Sequence, residues 1–443
     1  MVVAVAPVLK GGPAPPRAAS FNRAVNSCDS VEVIRIASRV PIALKAAPEV
    51  YCPPSGDARF MGDRDRDRIN GGKPSETRRN PTMFNRNRLK LGLFASNCSN
   101  GQAATRVPER WDASWENNRK LAQMADDAGL ECMIPIGRWK GYGGETDFEG
   151  SAFETITWAC GLLAVTRDIT IFGTVHCPLI HPVLAAKQAV TADHAGRGRF
   201  GLNIVCGWNL DEFKMFGASR RAHDRRYEYG QEWWDIVRRI WSGEGPFDYD
   251  GEFFQVEGVI GKPAPWGGRS PIVMNAGTSP AGRDFAARNS DFHFDHTADP
   301  SRISDQIADT RRRAQSFGHD IGVFTAGYMV CRPNRREAEE YLHHFAVENA
   351  DFAAVDRLIK LAVGNSQWAT AEAAREARVR FAAGYGSIPF VGDPDDVARE
   401  LKRLSDAGFD GVVFGFVNYL DELPYFVSEV IPRLERMGLR EPR

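Results

Sequence analysis

The sequence predicts an α/β fold, a (β/α)8 TIM barrel with insertions. From Leu89 onward, short runs rich in β-branched and aromatic residues alternate with longer segments in which apolar residues recur every three or four positions. This alternation is typical of βα units in a parallel sheet. Eight such runs can be counted, and a closed barrel of eight parallel strands fits that number better than an open sheet does.

The predicted elements follow one another as strand and helix along the chain. The strands are short apolar runs bounded by residues that favour turns: Leu89–Ala95, Cys132–Gly137, Thr170–Val175, Phe200–Val205, Pro271–Gly277, Asp291–His296, Gly322–Cys331 and Gly411–Phe416. The helices carry their apolar residues on one face, as helices that cover a barrel do: Trp115–Ala128, Phe153–Thr166, Pro182–Ala192, Asp224–Trp241, Ala281–Arg288, Ser301–Gln315, Arg335–Ala346 and Pro394–Ala407.

Two segments exceed a minimal barrel within the predicted domain, residues 86–443. Residues 245–270 contain two strand-like runs followed by Pro- and Gly-rich sequence, which predicts a hairpin insertion. Residues 347–390 mix helical patterns with glycines and Pro389, which predicts an excursion over the barrel mouth that acts as a water-excluding lid.

Residues 1–85 differ in composition from the rest of the chain. They are Pro-rich between Pro7 and Pro16, charged and repetitive at Arg64–Arg68, and without sustained periodicity. This composition predicts a disordered N-terminal extension. A start at Met83, with the preceding residues untranslated, is the alternative.

Charge and cysteine usage narrow the class of protein. Lys plus Arg (56) nearly balances Asp plus Glu (57), so a nucleic acid partner is not expected, and a small molecule is the expected ligand. No apolar run approaches the roughly 18 residues of a membrane span. The eight cysteines are scattered without a C-x-x-C pair, as in a reduced cytoplasmic protein.

The ends of the predicted strands carry the residues that indicate a binding site, because the βα loops of a barrel converge there. The fourth strand contains Asn203 and is followed by Gly207 and Trp208, a pattern that predicts the floor of a cofactor pocket. After the fifth strand, Ser279 opens a helix beside small residues, which predicts a phosphate site at a helix N-terminus. An ordinary cap with Ser279 as N-cap is the alternative.

Two further clusters fit the same ligand. Arg226 and Tyr227 begin a long helix and offer a charged fork and a flat ring for a phosphorylated aromatic cofactor, although such a helix start is also typical of a solvated surface. Gly137 and Arg138 lead into a loop of glycines and aromatics that can cover a planar ring, or else pack at the rim.

A metal site is the alternative use of four histidines. His176, His181, His293 and His296 are imidazole donors, but their spacing matches no zinc pattern and no carboxylate cluster completes a site. We therefore expect no metal. His176 is expected to line the substrate side of the pocket, as a proton donor to a leaving group.

From about Leu89 to Met437 the chain resembles the bacterial luciferase-like flavin-dependent monooxygenases. The resemblance is strongest to the branch of ring-opening pyrimidine monooxygenases and of dimethyl sulfone and aryl sulfone monooxygenases. Its motifs occur in the right order: Gly137-Arg138 with Gly141-Tyr-Gly-Gly144, Asn203 to Trp208 with Glu212, Arg226-Tyr227, and Ala276-Gly-Thr-Ser279 with Gly282.

The resemblance implies a cofactor, a co-substrate and partners. It implies reduced FMN, supplied by a separate NAD(P)H:flavin reductase in a two-component system, with O2 as co-substrate and a flavin peroxide adduct as the oxygenating species. It also implies a homo-oligomer, a dimer or a tetramer. Sulfones or sulfonates, heteroaromatic amides and haloaromatics are the substrate classes left open.

The resemblance also implies the site residues. FMN contacts are implied at Gly137, Arg138, Asn203, Glu212, Arg226, Tyr227 and Ser279, and Arg138 stands where the pyrimidine enzymes have lysine. Thr174 and Asn203 are implied to flank an oxygen pocket beside flavin N5, with Ile134 as an apolar wall. The rival functions are an F420-dependent hydride-transfer oxidoreductase and a non-catalytic flavin-binding protein.

Overall fold

The computed structural model describes residues 80–218, 225–295, 302–362 and 370–442. The predicted N-terminal extension lies outside these ranges except for residues 80–85. His296 also lies outside them. No helix within the described ranges is long and apolar enough to span a bilayer.

The predicted fold class is confirmed. The strands, in chain order, are β1 (Lys90–Phe94), β2 (Cys132–Ile134), β3 (Thr170–His176), β4 (Phe200–Val205), β5 (Phe247–Asp250), β6 (Gln255–Val259), β7 (Ile272–Asn275), β8 (Phe292–Phe294), β9 (Gly322–Cys331), β10 (Ile388–Gly392) and β11 (Gly411–Gly415). The main sheet has nine strands, all paired in parallel. Eight of them form the barrel in the order β1-β2-β3-β4-β7-β8-β9-β11, with β11 paired to β1 to close it, and β10 pairs with β9. Each predicted strand corresponds to one of these eight.

Helices surround the barrel. They are α1 (Trp115–Asp127), α2 (Thr155–Ala164), α3 (Pro182–Ala195), α4 (Leu210–Met215), α5 (Arg225–Trp241), α6 (Pro280–Asn289), α7 (Ile303–Ser316), α8 (Arg335–His343), α9 (Phe352–Ala362), α10 (Ala371–Gly384), α11 (Pro394–Ala407), α12 (Tyr419–Glu429) and α13 (Ile431–Arg436). Several helix starts follow from local sequence. At α11, for example, Asp393 caps the first turn, Asp396 completes a capping box, and Pro394 stands at the first helical positions.

Aromatic and aliphatic side chains fill the barrel interior. They include Cys132, Ile134, Phe172, Met274, Phe292, Phe294, Phe324 and Val413. Met83, fully buried, and Phe84, stacked on Phe292, pack against this interior cluster as well. Because the interior is packed, chemistry has room only where the strands end. We use the word mouth for the end of the barrel at which the strands terminate.

The second predicted strand is shorter than expected. It ends at Ile134 rather than Gly137, because Pro135 has no N–H to donate to a ladder. The following Ile136 bonds instead to the side chain of Asn97, whose amide oxygen accepts from the Ile136 N–H at 2.9 Å and whose amide nitrogen donates to the Ile136 carbonyl at 2.9 Å. Asn97 thereby ties the end of β2 to the loop after β1.

The segment between β9 and β11 is larger than the predicted excursion. It contains α8, a π-helical turn at His344–Glu348, α9, α10, β10 and α11. Its backbone bonds to the loop after β1, where the Ala104 N–H donates to the Ala382 carbonyl at 2.8 Å and the Asp351 N–H donates to the Ala104 carbonyl at 2.9 Å. The segment therefore covers the mouth on the side of β1. Residues 245–270 contain the antiparallel hairpin β5–β6.

Candidate active site

Thr174 and Asn203 lie side by side at the mouth. They are register partners of β3 and β4, and both are less than a tenth exposed. The Thr174 hydroxyl donates to the Pro135 carbonyl at 2.7 Å and accepts from the Asn203 amide nitrogen at 3.2 Å. The Asn203 Oδ1 atom is buried without a hydrogen-bond partner among the described residues. Leaving an acceptor in this state costs about 1–3 kcal/mol, so the site fits a ligand that brings a donor.

Gly137 brings His176 into the same group. A Cβ atom on Gly137 would lie 2.7 Å from His176 Cε1 and 3.3 Å from Thr174 Cγ2. Only glycine therefore permits this close approach. Burial lowers the pKa of His176 to about 4, with a smaller opposing effect from Glu212. The imidazole is consequently neutral at pH 7 and can donate one hydrogen bond from its N–H.

Arg138 and Glu212 belong to a buried ionic network. The Arg138 Nη1 atom donates to Glu212 at 3.1 Å, and the Glu212 carboxylate also accepts from the Trp139 N–H at 2.9 Å. The guanidinium lies over the rings of Tyr142, at 4.7 Å from the centroid, and Trp208, at 5.5 Å. This environment is dry, since the Arg138 and Glu212 side chains are 2% and 1% exposed.

Two members of this network were not predicted, Glu149 and Tyr385. Glu149 accepts from Arg138 Nε at 2.8 Å and from the Tyr385 hydroxyl, while Arg138 Nη2 donates to that hydroxyl at 3.3 Å. Burial raises the pKa of the Glu149 carboxyl. Both residues have left-handed backbone, with φ of 55° and 60°, a strain that is common at functional sites. In the sequence, the only local signal for these two residues is the glycine that follows each of them, Gly150 and Gly386.

The predicted phosphate end is built from α5, α6 and the loop after β4. The Ser279 hydroxyl caps α6 by accepting from the Gly282 N–H at 3.1 Å. A Cβ atom on Gly282 would lie 2.5 Å from the Tyr227 hydroxyl, so that hydroxyl points at the start of α6. Arg226 donates from Nη1 to the Gly207 carbonyl. The cap and a phosphate site are compatible, because the first-turn N–H groups of a helix face an anion.

The nine predicted site residues thus fall into three groups, which are linked where Gly137 precedes Arg138 and where Arg226 bonds to the loop after β4. Thr174, Asn203, His176 and Gly137 form the first, Arg138 and Glu212 the second, and Arg226, Tyr227 and Ser279 the third. Glycine backbone, flat rings and a helix N-terminus suit a planar cofactor with a phosphate tail. The unsatisfied Asn203 oxygen suits an N–H on that cofactor or on its substrate.

Other candidate sites are weaker. Among the described residues, no group of three or more His, Cys, Asp and Glu side chains is placed to hold a metal ion. A cavity of about 680 Å³ opens at the opposite end of the barrel, beside Lys90, Phe292 and Asp410. That end of a (β/α)8 barrel serves stability rather than catalysis, so we place the site at the mouth.

The fold and the mouth residues define an enzyme of the (β/α)8 class whose chemistry takes place at the strand ends. Residues 89–411 match the model of the luciferase-like monooxygenase family. The chain belongs to this family, and the predicted family and enzyme class, a flavin-dependent monooxygenase, are confirmed.

Several named relatives align with most of the chain. The FMNH2-dependent dimethylsulfone monooxygenase of Pseudomonas fluorescens (strain Pf0-1) is 31% identical over 358 residues, covering 79% of this chain and 95% of that protein. Pyrimidine monooxygenase RutA of Escherichia coli O127:H6 is 27% identical over 355 residues, covering 78% and 96%. The crystal structure of DmoA from Hyphomicrobium sulfonivorans superposes with a TM-score of 0.72 at 20% identity, covering 79% of this chain and 88% of that one.

Proposed function

We propose that this protein inserts one oxygen atom from O2 into a small organic substrate at the barrel mouth. The observation that carries the proposal is the Thr174–Asn203 pair, a hydroxyl and a carboxamide joined across β3 and β4 with one amide oxygen left for a ligand. Aryl or alkyl sulfones and sulfonates, heteroaromatic amides and haloaromatics are the candidate substrate classes.

The cofactor is FMN in its reduced form, and the co-substrate is O2, as the FMNH2-dependent relatives indicate. When bound, reduced FMN supplies the electrons that activate O2. The first-turn N–H groups of α6, the Ser279 hydroxyl and the Tyr227 hydroxyl would hold the phosphate, with Arg226 beside them. Gly137 and Asn203 would contact the ring.

Arg138 and Glu212 take a supporting role in this proposal. Three of the five guanidinium N–H groups of Arg138 already donate, to Glu149, Glu212 and Tyr385, and the side chain is 2% exposed, so most of its contacts are within the protein. Held in this way, Arg138 fixes the loop after β2 and the rings of Tyr142 and Trp208 at the edge of the site.

Thr174 and Asn203 orient the reactants and Ile134 keeps the floor of the site apolar. The Thr174 hydroxyl donates to Pro135 and accepts from Asn203, which fixes the carboxamide so that its oxygen faces the ligand. The neutral His176 offers an N–H at the substrate side and does not act as an imidazolium acid near pH 7. The segment over the mouth excludes water, which protects a reactive oxygen species.

The proposed setting is that of a two-component system. A separate NAD(P)H:flavin reductase would deliver the reduced FMN, and the chain would act as a homo-oligomer, a dimer or a tetramer. The six cysteines of the described ranges are all free thiols, which supports a reducing compartment, the cytoplasm.

Oxygen uptake tests the proposal. The protein is mixed with FMN, a flavin reductase and NADH, and each substrate class is added in turn; the same mixture without the protein measures background flavin oxidation. We expect uptake that depends on one class, and a product carrying one ¹⁸O atom from ¹⁸O2. Substrate turnover without O2 and with reduced F420, or a product without label, would overturn the proposal.

A further inference from the structure

A second unsatisfied carboxamide lies at the mouth, on Gln102 in the loop after β1. Gln102 is 1% exposed, and neither its Nε2 nor its Oε1 atom has a hydrogen-bond partner among the described residues. Each unmade bond of this kind destabilises the folded state. An amide with both of its groups unmatched is therefore placed for something other than packing.

The side chain reaches over the inward face of β11. Gly411 and Val413 point into the barrel, where a Cβ atom on Gly411 would meet Phe324 and where Val413 belongs to the interior cluster. Residues two apart on a strand share a face, so Gly415 faces inward too, at the strand end. A Cβ atom on Gly415 would lie 2.3 Å from Gln102 Oε1, so the missing side chain of Gly415 makes room for the amide.

The surroundings hold the amide in place without bonding to it. The preceding Gly101 has φ of 56°, and a Cβ atom on it would lie 2.7 Å from the Tyr419 ring. The Tyr419 hydroxyl donates to the Phe94 carbonyl. The Ala103 N–H donates to the Asn100 carbonyl at 3.1 Å. The backbone of the loop is thus fixed on both sides of Gln102, and burial restricts the carboxamide.

Gln102 adjoins the end of β11, whereas Asn203 lies on β4. In the closed order of strands, β11 and β4 are four positions apart in either direction. The predicted phosphate contacts and the Thr174–Asn203 pair belong to the β3, β4 and β7 side. The Gln102 side is therefore the side that the substrate would occupy.

We infer that the Gln102 carboxamide determines substrate specificity by binding an amide edge of the substrate, a lactam or a primary amide. This inference rests on the proposed function. A carboxamide presents a donor and an acceptor next to each other, and an amide edge matches both. A sulfone or sulfonate offers only acceptors and would leave Oε1 unsatisfied, and a haloaromatic would satisfy neither atom.

The test compares Gln102→Met with Gln188→Met. Methionine has nearly the length of glutamine and no amide. Gln188 on α3 also has an unsatisfied buried oxygen but lies outside the barrel, so it is a matched control. The substrates are an N–H lactam, its N-methyl analogue and a cyclic sulfone, each measured for KM by oxygen uptake and for Kd by calorimetry with the protein loaded with oxidised FMN.

The expected result has three parts. Wild type binds the N–H lactam about tenfold or more tightly than the N-methyl analogue, since a buried unpaired group is penalised to that extent. Gln102→Met loses this preference while Gln188→Met keeps it. Gln102→Met also keeps or gains thermal stability, because it removes an unmatched buried amide, whereas a purely structural glutamine would lower stability when replaced.

Three outcomes would overturn the inference. Gln102→Met could keep the preference for the N–H lactam, or sulfones could be the substrates for wild type and variant alike. If Gln102→Met raised the FMN Kd about tenfold and left the lactam Kd unchanged, the Gln102 amide would bind the pyrimidine edge of the flavin and not the substrate. Absence of any substrate-dependent oxygen uptake, with Gln102-dependent lactam binding intact, would instead contradict the proposed function alone.

Discussion

At the scale of single residues, the chemistry depends on polar atoms that the fold leaves for a ligand. Thr174 and Asn203 were predicted as a pair, and β3 and β4 bring them into register. Their bond leaves the Asn203 oxygen unmatched. The bond to Thr174 therefore orients the Asn203 amide oxygen toward the mouth, and the position of an asparagine at a strand end does not by itself predict that orientation.

Thr174→Val tests this pair. The valine keeps the shape of threonine and removes the hydroxyl, so the Asn203 amide loses its anchor and its orientation. We expect kcat for oxygenation to fall about tenfold or more, since preorganised polar groups at a reacting centre contribute at that scale, with FMN Kd nearly unchanged. Oxygen uptake and peroxide release measure the loss of coupling. Thr170→Val, in the same strand at the other end of the barrel, is the control, and equal effects in both variants would refute the assignment.

His176 predicts an acid sensitivity. Burial lowers its pKa to about 4, below the roughly 6.5 of an unfolded chain. As pH falls, the unfolded chain takes up the proton first. His176 therefore contributes stability that is complete above about pH 6.5 and is lost as pH falls through about 4, by at most roughly 3 kcal/mol.

Urea unfolding between pH 7.5 and 4.5 measures this loss. Wild type should lose more free energy of unfolding across the interval than His176→Gln. His343→Gln, at an exposed position on α8, should behave like wild type. The same pH slope in wild type and His176→Gln would show that the burial of this imidazole has no consequence for stability.

At the scale of elements, a tyrosine joins the segment over the mouth to the buried network around Arg138. Tyr385 follows the last residue of α10, and its hydroxyl joins Glu149 and Arg138. Tyr385 thus connects the helices of the segment to the loop after β2, by hydrogen bonds to the buried charges of Glu149 and Arg138.

Tyr385→Phe removes that contact. We expect the free energy of unfolding to fall by about 1–3 kcal/mol, because a buried carboxylate loses a donor, and FMN Kd to rise because the loop that carries Gly137 and Arg138 is less fixed. Denaturant unfolding and FMN fluorescence titration measure the two effects. Tyr341→Phe is the control within the same segment, since the Tyr341 hydroxyl donates to Glu109 at 3.0 Å away from the site. An FMN Kd raised equally in both variants would argue against a specific role for Tyr385.

The element β10 shows where sequence patterns mislead. The excursion predicted from Pro389 and the nearby glycines included no strand, yet Pro389 lies within Ile388–Gly392. Within the described ranges this strand pairs only with β9, so it is an edge strand, and a proline is tolerated where its nitrogen faces away from the ladder. Pairing with β9 therefore determines that this segment forms a strand, and the local sequence does not indicate that partner.

At the scale of the whole molecule, one carboxylate joins the start and the end of the barrel. Glu131, fully buried, accepts from Arg440 Nη1 at 2.8 Å and from the Leu91 N–H at 2.8 Å, and also from the side chains of Asn85 and Asn87. The last turn of the chain is thereby fixed against β1 and β2 next to the closing contact of the barrel.

Glu131→Gln should lower the free energy of unfolding by about 3–5 kcal/mol, because Arg440 would remain buried without its counter-charge. Equilibrium denaturation measures the change, and Glu131→Gln combined with Arg440→Met should recover part of it. Arg88→Met breaks an ion pair whose members are 54% and 44% exposed, and it should change stability by about 1 kcal/mol or less. Similar losses for both pairs would contradict the role of Glu131 in closure.

The sequence by itself determined the barrel and the strand-end residues of the site. Strand and helix periods are local properties, and the eight predicted strands became the eight barrel strands. The tertiary structure alone decided what those residues contact. Arg138 was predicted, but Glu149 and Tyr385, which are 236 positions apart, meet it only because the barrel closes and the long segment packs over the mouth. The unmatched amide of Gln102 likewise exists only in the folded chain, because hydrogen bonding between distant residues depends on packing that no local pattern encodes.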